Sequence, residues 1–257
     1  MTKIRVAIVG SEGRMGKVLQ KLISESDDIE VVCKVDHNLS ECKSVSDALK
    51  SKISADVFID FTHPDSVVDN IKQISKAGFD ILVGTTGWYD KIDEVKNIAI
   101  KNKKRILYAP NFAIGVNALF YITDQLSKLL GRLDFDVTVR ELHHTKKADS
   151  PSGTAKALAE ILKKNVDGKD TLTFERRVKR KDNEIDVLGG RVGLVAGHHE
   201  IWFTPKKSYS ERLILQHDAF NPEVFGIGAL QGIRWIVKNK DKKPGLYTFK
   251  EDVLGLK

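Results

Sequence analysis

The sequence predicts an α/β protein: a doubly wound parallel sheet in its N-terminal part, then an α+β unit with a mixed, mostly antiparallel sheet. Short apolar strands alternate with helical patterns between Ile4 and Tyr108, which is typical of a parallel sheet covered by helices on both faces. Beyond Gly131, apolar and polar residues alternate over several stretches. This period of two indicates strands with one covered face.

Length and composition are those of an ordinary globular protein. With 257 residues, the chain can bury a substantial core in one large domain or two smaller ones. Hydrophobic residues make up 41% and charged residues 30%, which indicates neither disorder nor a membrane span. The N-terminus enters a strand pattern without a signal-peptide core, and Cys33 and Cys42 lack zinc-type spacing. We therefore expect a cytoplasmic protein without a metal site.

The net charge of +7 comes from 42 Lys and Arg against 35 Asp and Glu. The lysines are scattered, and no aromatic-rich basic platform of the kind that binds nucleic acid accompanies them. Small anionic ligands, such as a dinucleotide and a dicarboxylate, explain the basic balance about as well. We expect small-molecule partners and neither nucleic acid nor membrane.

The first predicted strand, Ile4–Val9, runs into a glycine-rich turn and then a helix. The turn reads Gly10-Ser-Glu-Gly13-Arg-Met-Gly16, which is one residue longer than the usual dinucleotide-binding spacing. Such a turn lets the backbone approach a pyrophosphate, which the helix N-terminus then stabilises. The same glycines would also serve a simple tight turn. The candidate cofactor-binding residues here are Gly10, Ser11, Glu12, Gly13, Arg14 and Met15.

The second strand, Ile29–Val35, ends at an acidic residue. Asp36 lies 20 positions beyond Gly16, where a carboxylate would bond the adenosine ribose hydroxyls. A carboxylate there would repel a 2′-phosphate and so favours NADH. Lys34 and His37 are candidate phosphate partners, and NADPH use therefore stays open.

Three further strands end in small or hydroxyl-bearing residues. We predict them at Val57–Phe61, Ile81–Val83 and Arg105–Tyr108, with a helix from Asp65 to Lys76. Ligands of a doubly wound sheet bind beyond the carboxyl ends of its strands, although small hydroxyl residues also satisfy ordinary turns. The cofactor candidates at these tips are Gly84, Thr85, Thr86, Ala109, Pro110, Asn111 and Phe112.

The second unit begins with a long apolar helix, Ile114–Leu130, which Gly131 closes. A strand from Phe135 to Leu142 follows, and then a helix that ends near Asn165. The remaining alternating stretches are Thr171–Arg177, Val192–Ala196, His199–Phe203 and Glu211–His217. Polar connectors are expected at Lys163–Asp170 and Lys179–Asp186, and a last apolar helix at Phe225–Val237.

The stretch from Glu141 to Ala155 combines proton-handling side chains with a helix start. Ser150 is the predicted helix cap, and Pro151 suits the first helical position. The backbone N–H groups of Ser152–Thr154 would bind a carboxylate or phosphate, since helix N-termini attract anions. Two histidines and two lysines lie just upstream, and these residue types exchange protons. Glu141 is a candidate for orienting one of them.

The motif His143-His144-x-x-Lys147-x-Asp149-x-Pro151-Ser152-Gly153-Thr154-Ala155 closely resembles the signature of the 4-hydroxy-tetrahydrodipicolinate reductase family, also called dihydrodipicolinate reductases. The resemblance extends over nearly the whole chain. It implies an NAD(P)H-dependent oxidoreductase that reduces 4-hydroxy-tetrahydrodipicolinate to tetrahydrodipicolinate in lysine and diaminopimelate biosynthesis. It also implies His143 and Lys147 as proton donors. The substrate-binding residues that it implies are His144, Gly153 and Thr154.

The resemblance further implies the domain organisation. Residues 1–112 and 225–257 would form the Rossmann-like dinucleotide-binding domain, because the family's closing segment, here Pro244-Gly-Leu-Tyr-Thr-Phe, folds back onto it. Residues 113–224 would form the substrate-binding and oligomerisation domain. Family members often accept both NADH and NADPH, and they assemble as homotetramers.

Several interpretations stay open. Adjacent residues of an extended chain point to opposite sides, so His144 has a structural alternative to substrate binding. Where the family often has Ser-Arg before the last helix, this chain has Asn221-Pro222, which puts one anion contact in doubt. The competing functions are a Rossmann dehydrogenase of another amino-acid-derived imine or carbonyl, and a non-catalytic nucleotide-sensing protein.

Overall fold

A computed structural model describes residues 2–174, 179–207 and 210–257. The chain forms two compact units. The first combines Met1–Ile114 with Pro222–Lys257, and the second is Gly115–Asn221. In the part of the chain that the structure describes, no helix is long and apolar enough to span a membrane.

A six-stranded parallel sheet with helices forms the first unit; the predicted fold class is confirmed, and β11 is a sixth strand in addition to the five that were predicted. Strand order is β11-β5-β4-β3-β1-β2, and all five pairings are parallel. The strands are β1 (Ile4–Val9), β2 (Ile29–Val35), β3 (Val57–Asp60), β4 (Asp80–Val83), β5 (Arg105–Tyr108) and β11 (Gly245–Thr248). The helices are α1 (Arg14–Ser24), α2 (Val45–Lys50), α3 (Pro64–Lys76), α4 (Ile92–Lys101) and α7 (Glu223–Lys238), with short turns of 3₁₀-helix at Tyr89–Lys91 and of π-helix at Phe249–Val253.

Apolar clusters on both faces of this sheet account for the continuous apolar character of its strands. Ile8 and Ile59 face the cluster that includes Ile233 of α7. Ala7 and Phe58 face the opposite cluster, which includes Ile71 of α3. Because both faces are covered, nearly every residue of the central strands must be apolar, whereas the edge strand β2 alternates between buried and exposed residues.

The C-terminal segment completes the sheet by returning to its edge. Residues of β11 pair in parallel with β5, from Gly245 opposite Arg105 to Thr248 opposite Tyr108. The guanidinium of Arg105 is buried, forms an ion pair with Asp80 and donates to the carbonyl of Ile236 at 3.1 Å. One buried cation therefore ties β4, β5 and the end of α7 together.

The second unit packs helices against a five-stranded sheet of order β10-β9-β6-β8-β7. Apolar residues of β6, β8 and β9, such as Val139, Val187 and Ile201, pack against Leu158 and Leu162 of α6. The elements are α5 (Ile114–Leu130), β6 (Phe135–His143), α6 (Gly153–Asn165), β7 (Thr171–Thr173), β8 (Glu184–Arg191), β9 (Gly197–Pro205) and β10 (Leu213–Ala219).

The predicted mixed sheet is confirmed, but antiparallel pairs do not predominate in it. β10 pairs with β9 and β9 with β6 in antiparallel fashion, whereas β6–β8 and β8–β7 are parallel. The strand predicted at Val192–Ala196 is wrong, because this stretch is the loop that connects β8 to β9. The strand predicted at Thr171–Arg177 ends at Thr173, and residues 175–178 lie outside the described residues.

The polar connector predicted at Lys179–Asp186 overlaps the start of β8, so its last three residues, Glu184–Asp186, are strand residues. The ammonium of Lys169 contacts this segment by donating to the backbone carbonyls of Asp182 and Glu184 at 2.7 and 2.9 Å. Further along β8, Gly189 and Gly190 permit close packing. A Cβ at Gly190 would lie 2.5 Å from Leu142 of the neighbouring strand.

We expect Gly228→Ala to destabilise the first unit. A Cβ at Gly228 would lie 1.8 Å from the carbonyl oxygen of Phe112, so α7 would have to move away from the backbone on which it packs. Overpacking of this kind costs about 1–3 kcal/mol of unfolding free energy. Urea denaturation measures the change. Gly245→Ala is the matched control, because its Cβ meets only Tyr247 at 4.0 Å. Equal stabilities of the two variants would contradict the prediction.

Candidate active site

The glycine-rich turn at the end of β1 requires glycine for steric reasons. Gly10 has φ +83°, and a Cβ there would lie 2.2 Å from the carbonyl oxygen of Phe61. A Cβ at Gly16 would lie equally close, 2.2 Å, to the carbonyl oxygen of Gly10. The N-cap of α1 is Gly13, which has no side chain to bond the first N–H groups of the helix. These N–H groups therefore remain available to an anion.

Asp36 lies beside this turn at the end of β2. Its carboxylate accepts from the backbone N–H of Glu12 at 3.0 Å and of Asn38 at 3.1 Å. Burial raises the pKa of Asp36, but these N–H groups and the neighbouring His37 outweigh that effect and lower it. A cleft of about 600 Å³ includes Gly10, Gly13 and Asp36 in its lining. The structure thus brings the turn and the acidic residue together.

The tips of β3 and β4 are joined through Asp60, a buried acid that sequence reasoning treated only as a strand residue. Its carboxylate accepts from the hydroxyls of Thr62 and Thr85, both at 2.7 Å, and from the amide of Asn70 at 2.8 Å. Burial nevertheless raises the pKa of Asp60. The signal that could have identified it is an acid at the end of an otherwise apolar strand.

The remaining cofactor candidates of the strand tips lie in different environments. Thr86 and Pro110 are exposed, whereas Thr85 and Ala109 are buried. Phe112 belongs to the core, where its ring packs between Phe61 and Phe249 at centroid distances of 6.2 and 5.0 Å. The side chain of Phe112 is therefore part of the core on which the strand tips pack. The other candidates, Ser11, Arg14, Met15, Gly84 and Asn111, lie at the same carboxyl edge of the sheet.

In the second unit, β6 delivers two ionisable residues to one buried face. Glu141 and His143 are two positions apart, so they point to the same side of the strand, and they are 1% and 6% exposed. Leu142 between them is 39% exposed. His144 follows the end of the strand and is half-buried.

Helix α6 begins later than the sequence suggested. Its N-cap is Ser152, whose hydroxyl accepts from the N–H of Ala155 at 3.1 Å. The predictions of Ser150 as the cap and Pro151 as the first helical residue are therefore wrong. The physical reason is that Glu141 accepts from the backbone N–H of Ser152 at 2.9 Å, which fixes the chain at that residue. Gly153 is exposed, and no atom lies within 4 Å of a Cβ built on it.

Four groups surround the carboxylate of Glu141. The Nδ1 atom of His143 and the Nε2 atom of His199 each lie 3.5 Å from its Oε2. Arg191 lies 3.7 Å from Oε1, and the Ser152 N–H binds the same oxygen. His199 and Arg191 were not among the predicted site residues, because β8 and β9 bring them in from more than forty positions away.

The two ionisable residues of β6 have shifted pKa values. Burial lowers the pKa of His143 to about 4, since it disfavours the imidazolium; Glu141 opposes the shift, and His199, Lys147 and Arg191 reinforce it. Burial raises the pKa of Glu141, but hydrogen bonds from His199 and Ser152 outweigh it and lower the pKa to about 2. At neutral pH this site therefore holds a carboxylate beside a neutral His143.

Lys147 lies on the loop between β6 and α6. Its ammonium pairs with Asp149 at 2.7 Å. Arg191 contacts the same loop by donating to the carbonyl of Lys147 at 3.4 Å. The loop therefore carries a cation close to an exposed helix start, which suits a ligand that bears negative charge.

Glu141, His143 and His199 also place potential metal-ligand atoms within 4.8 Å of one another. One carboxylate oxygen is already bound by the Ser152 N–H, and a guanidinium lies beside it. A dication would be repelled by that guanidinium. We therefore interpret the three residues as a hydrogen-bonding cluster, and the absence of a metal site stays a prediction.

A parallel sheet with a glycine turn after its first strand and a carboxylate after its second is typical of a Rossmann-type, dinucleotide-binding protein. Comparison with known families narrows this class. The family described as "Dihydrodipicolinate reductase, N-terminus" matches residues 4–112, and "Dihydrodipicolinate reductase, C-terminus" matches residues 115–254. The chain belongs to the dihydrodipicolinate reductase family, and the prediction from its motif is confirmed.

Curated relatives agree over the full length. The chain is 35% identical over 260 residues to the 4-hydroxy-tetrahydrodipicolinate reductase of Methanoregula boonei, covering 98% of each chain. It is 35% identical over 273 residues to the same enzyme of Aquifex aeolicus, covering 98% of this chain and 99% of the relative. Reductases of this family are NAD(P)H-dependent oxidoreductases.

Solved structures support the fold. A dipicolinate-bound dihydrodipicolinate reductase from Paenisporosarcina sp. TG-14 superposes with a TM-score of 0.78 at 24% identity, covering 96% of this chain and 98% of that one. A mutant meso-dapdh from Clostridium tetani E88 has a TM-score of 0.57 at 15% identity, covering 99% and 96%. At these identities the likeness concerns the arrangement of helices and strands.

We expect the free energy of unfolding to fall as the pH drops from about 6.5 to about 4. The ordinary pKa of histidine is 6.5, and that of folded His143 is about 4. Between these values the unfolded chain binds a proton that the folded protein does not, which amounts to at most about 3 kcal/mol. Urea denaturation across this pH range, with His143→Gln for comparison, measures the effect. In His143→Gln the free energy of unfolding should depend less on pH over this range. An NMR titration that places the pKa of His143 near 6.5 in the wild type would contradict the assignment.

Proposed function

We propose that this chain reduces 4-hydroxy-tetrahydrodipicolinate to tetrahydrodipicolinate, with NADH or NADPH as the reductant, in lysine and diaminopimelate biosynthesis. The observation that carries the proposal is the loop between β6 and α6. It combines a buried histidine, a lysine and an exposed helix start in a chain of the dihydrodipicolinate reductase family. A cyclic dicarboxylate requires these features: a proton donor, a cation and positions for carboxylates.

The first unit is the cofactor-binding unit in this proposal. Glycines that no larger residue can replace let the β1–α1 turn contact a pyrophosphate, and the open cleft beside it accommodates a nucleotide. Asp36 would accept from the ribose hydroxyls. When bound, the nicotinamide supplies the hydride. The protein's task there is to orient the cofactor and to exclude competing reactions.

The second unit would bind the substrate. The free N–H groups at Gly153 and Thr154, at the start of α6, would bind one carboxylate. Lys147 would exchange its contact with Asp149 for the substrate and stabilise developing negative charge. His144 is the remaining candidate for a carboxylate contact. It follows the end of β6 and is half-buried, unlike His143 on the covered face.

His143 is the proposed proton donor together with Lys147. In the free protein its imidazole is neutral at pH 7, because burial lowers its pKa to about 4. A dianionic substrate would raise that pKa, since an opposite charge nearby favours the imidazolium. Substrate binding and protonation of His143 are thus coupled in this proposal, and the reactive proton would be present chiefly in the complex.

The departure at Asn221-Pro222 removes a possible anion contact from that position. Pro222 is the N-cap of α7 in this chain, so the residue starts a helix and offers no cation. We therefore assign the substrate's negative charges to Lys147 and the α6 start. We also propose a cytoplasmic homo-oligomer, a tetramer by family resemblance, in which the second unit makes the subunit contacts.

We expect purified protein to oxidise NADH or NADPH when 4-hydroxy-tetrahydrodipicolinate is supplied, and His143→Gln to lower kcat by about 10²–10⁴-fold, the usual contribution of a positioned donor. Steady-state absorbance of the reduced cofactor measures both. His198→Gln is the matched control, because His198 pairs with Asp218 on β10 and with Glu200 on its own strand, β9. It should retain the wild-type rate. If the wild-type protein shows no turnover with this substrate, the proposed reaction is wrong.

We expect Asp36→Ser to change the cofactor preference. Loss of the carboxylate removes the bond to the ribose hydroxyls and the repulsion of a 2′-phosphate. NADH affinity should fall about tenfold, which corresponds to one charge-assisted hydrogen bond, while NADPH affinity holds or rises. Fluorescence titration of both cofactors measures the ratio. Asp69→Asn, in the same cleft, should leave it unchanged. An unaltered NADH/NADPH ratio in Asp36→Ser would remove Asp36 from the cofactor site.

A further inference from the structure

Glu141 has no role in the proposed chemistry, yet it is the most buried acid of the second unit's site. Its side chain is fully enclosed, and each oxygen faces different groups. Burying a carboxylate is costly unless donors surround it. The ion pair with Arg191 accounts for only one of the contacts that stabilise this carboxylate.

One oxygen of Glu141 holds the start of α6. Oε1 accepts from the backbone N–H of Ser152 at 2.9 Å. The hydroxyl of Ser152 accepts from the N–H of Ala155 and lies 3.2 Å from Nε2 of His199. The conformation of the residues just before Gly153 thus depends on Glu141, and so does the direction of the free N–H groups that follow.

The other oxygen faces the imidazoles of His143 and His199. Oε2 of Glu141 lies 3.5 Å from Nδ1 of His143 and 3.5 Å from Nε2 of His199, and Nδ1 of His143 is buried without a hydrogen-bond partner among the described residues. A small rotation of either side chain closes this distance to a hydrogen bond, and catalytic contacts often tighten only when substrate binds. An Nδ1–H that donates to Glu141 leaves Nε2, which lies beside Gly197, as the nitrogen that exchanges protons.

We propose that Glu141 is a positioning residue that acts on both halves of the substrate site at once. Through Oε2 it fixes the tautomer and orientation of His143, and through Oε1 it fixes the N-terminus of α6. The inference rests on the proposed function of these two elements. It assigns Glu141 no contact with substrate or cofactor.

The charges that face His143 make the first half of this proposal testable by pH. Glu141 on β6 favours the imidazolium, whereas Lys147 on the following loop, Arg191 on β8 and His199 on β9 oppose it. His217 on β10 adds to this environment through His199. Glu141 is thus the one negative group in this set, and its neutralisation should move the titration of His143 to lower pH.

Glu141→Gln separates the two functions of the carboxylate. The amide oxygen can still accept from the Ser152 N–H, but the amide NH₂ then faces Nδ1 of His143 and favours the opposite tautomer. We expect kcat to fall by about 10²-fold or more. The descending limb of kcat/KM should shift to lower pH. Affinity for pyridine-2,6-dicarboxylate, a planar dicarboxylate probe, should stay within about threefold, because the helix start is retained.

Ser152→Ala gives the complementary pattern. It removes the helix cap and leaves the contact between Glu141 and His143 in place. KM and the Kd of pyridine-2,6-dicarboxylate should rise about tenfold, a loss comparable to one N-cap interaction. The descending limb of kcat/KM should stay at the wild-type pH. Glu160→Gln, which changes an exposed acid of α6 that pairs with Lys163, is the control and should behave as the wild type.

An NMR titration of His143 distinguishes failure of this inference from failure of the proposed function, because it needs neither substrate nor turnover. If the wild type is inactive but Glu141→Gln lowers the pKa of His143, only the proposed reaction is wrong. If Glu141→Gln leaves both the His143 titration and kcat within about threefold of the wild type, the inference is overturned. If Glu141→Gln does not fold, Glu141→Asp is used instead, because it keeps the negative charge. The descending limb of kcat/KM should then stay at the wild-type pH.

Discussion

A carboxylate that leaves water must be surrounded by hydrogen-bond donors, and this constraint shapes the ends of three strands in the protein. Asp36 directly follows β2, Asp60 ends β3, and Glu141 lies near the end of β6. In each case the donors come from a different element: the β1–α1 turn, the tip of β4, or the start of α6. Satisfying the buried charge therefore also fixes the loops that carry the candidate functional groups.

The same electrostatic arrangement would allow the protein to keep His143 neutral when no ligand is bound and to use it as the acid of the proposed reaction. Burial and three nearby basic groups oppose protonation of His143, and only Glu141 supports it. A ligand with two negative charges would tip this balance. A steric constraint acts in the glycine-rich turn. At Gly10 and Gly16 the backbone lies so close to other backbone atoms that any side chain is excluded.

The sequence was sufficient where a signal is local. β1, β2 and β5 were predicted with their observed bounds, because short runs rich in apolar residues that end in turn residues have few alternatives. Three features depend on long-range partners and were missed or misplaced. The Asp60 network spans 25 positions. Arg191 reaches the site only through the pairing of β6 with β8. The cap of α6 is Ser152 and not Ser150, since a carboxylate eleven positions upstream selects it.

The return of α7 and β11 to the first sheet has a consequence for how the protein is made. A ribosome produces β1 to β5 first, then the whole of the second unit, and only afterwards the helix and edge strand that cover β4 and β5. Until then Leu82 and Leu107 lack their apolar partner Ile233. The nascent nucleotide-binding unit must therefore wait, partly uncovered, while the second unit folds during synthesis. Chaperones that shield exposed apolar surface would act on this chain during that interval.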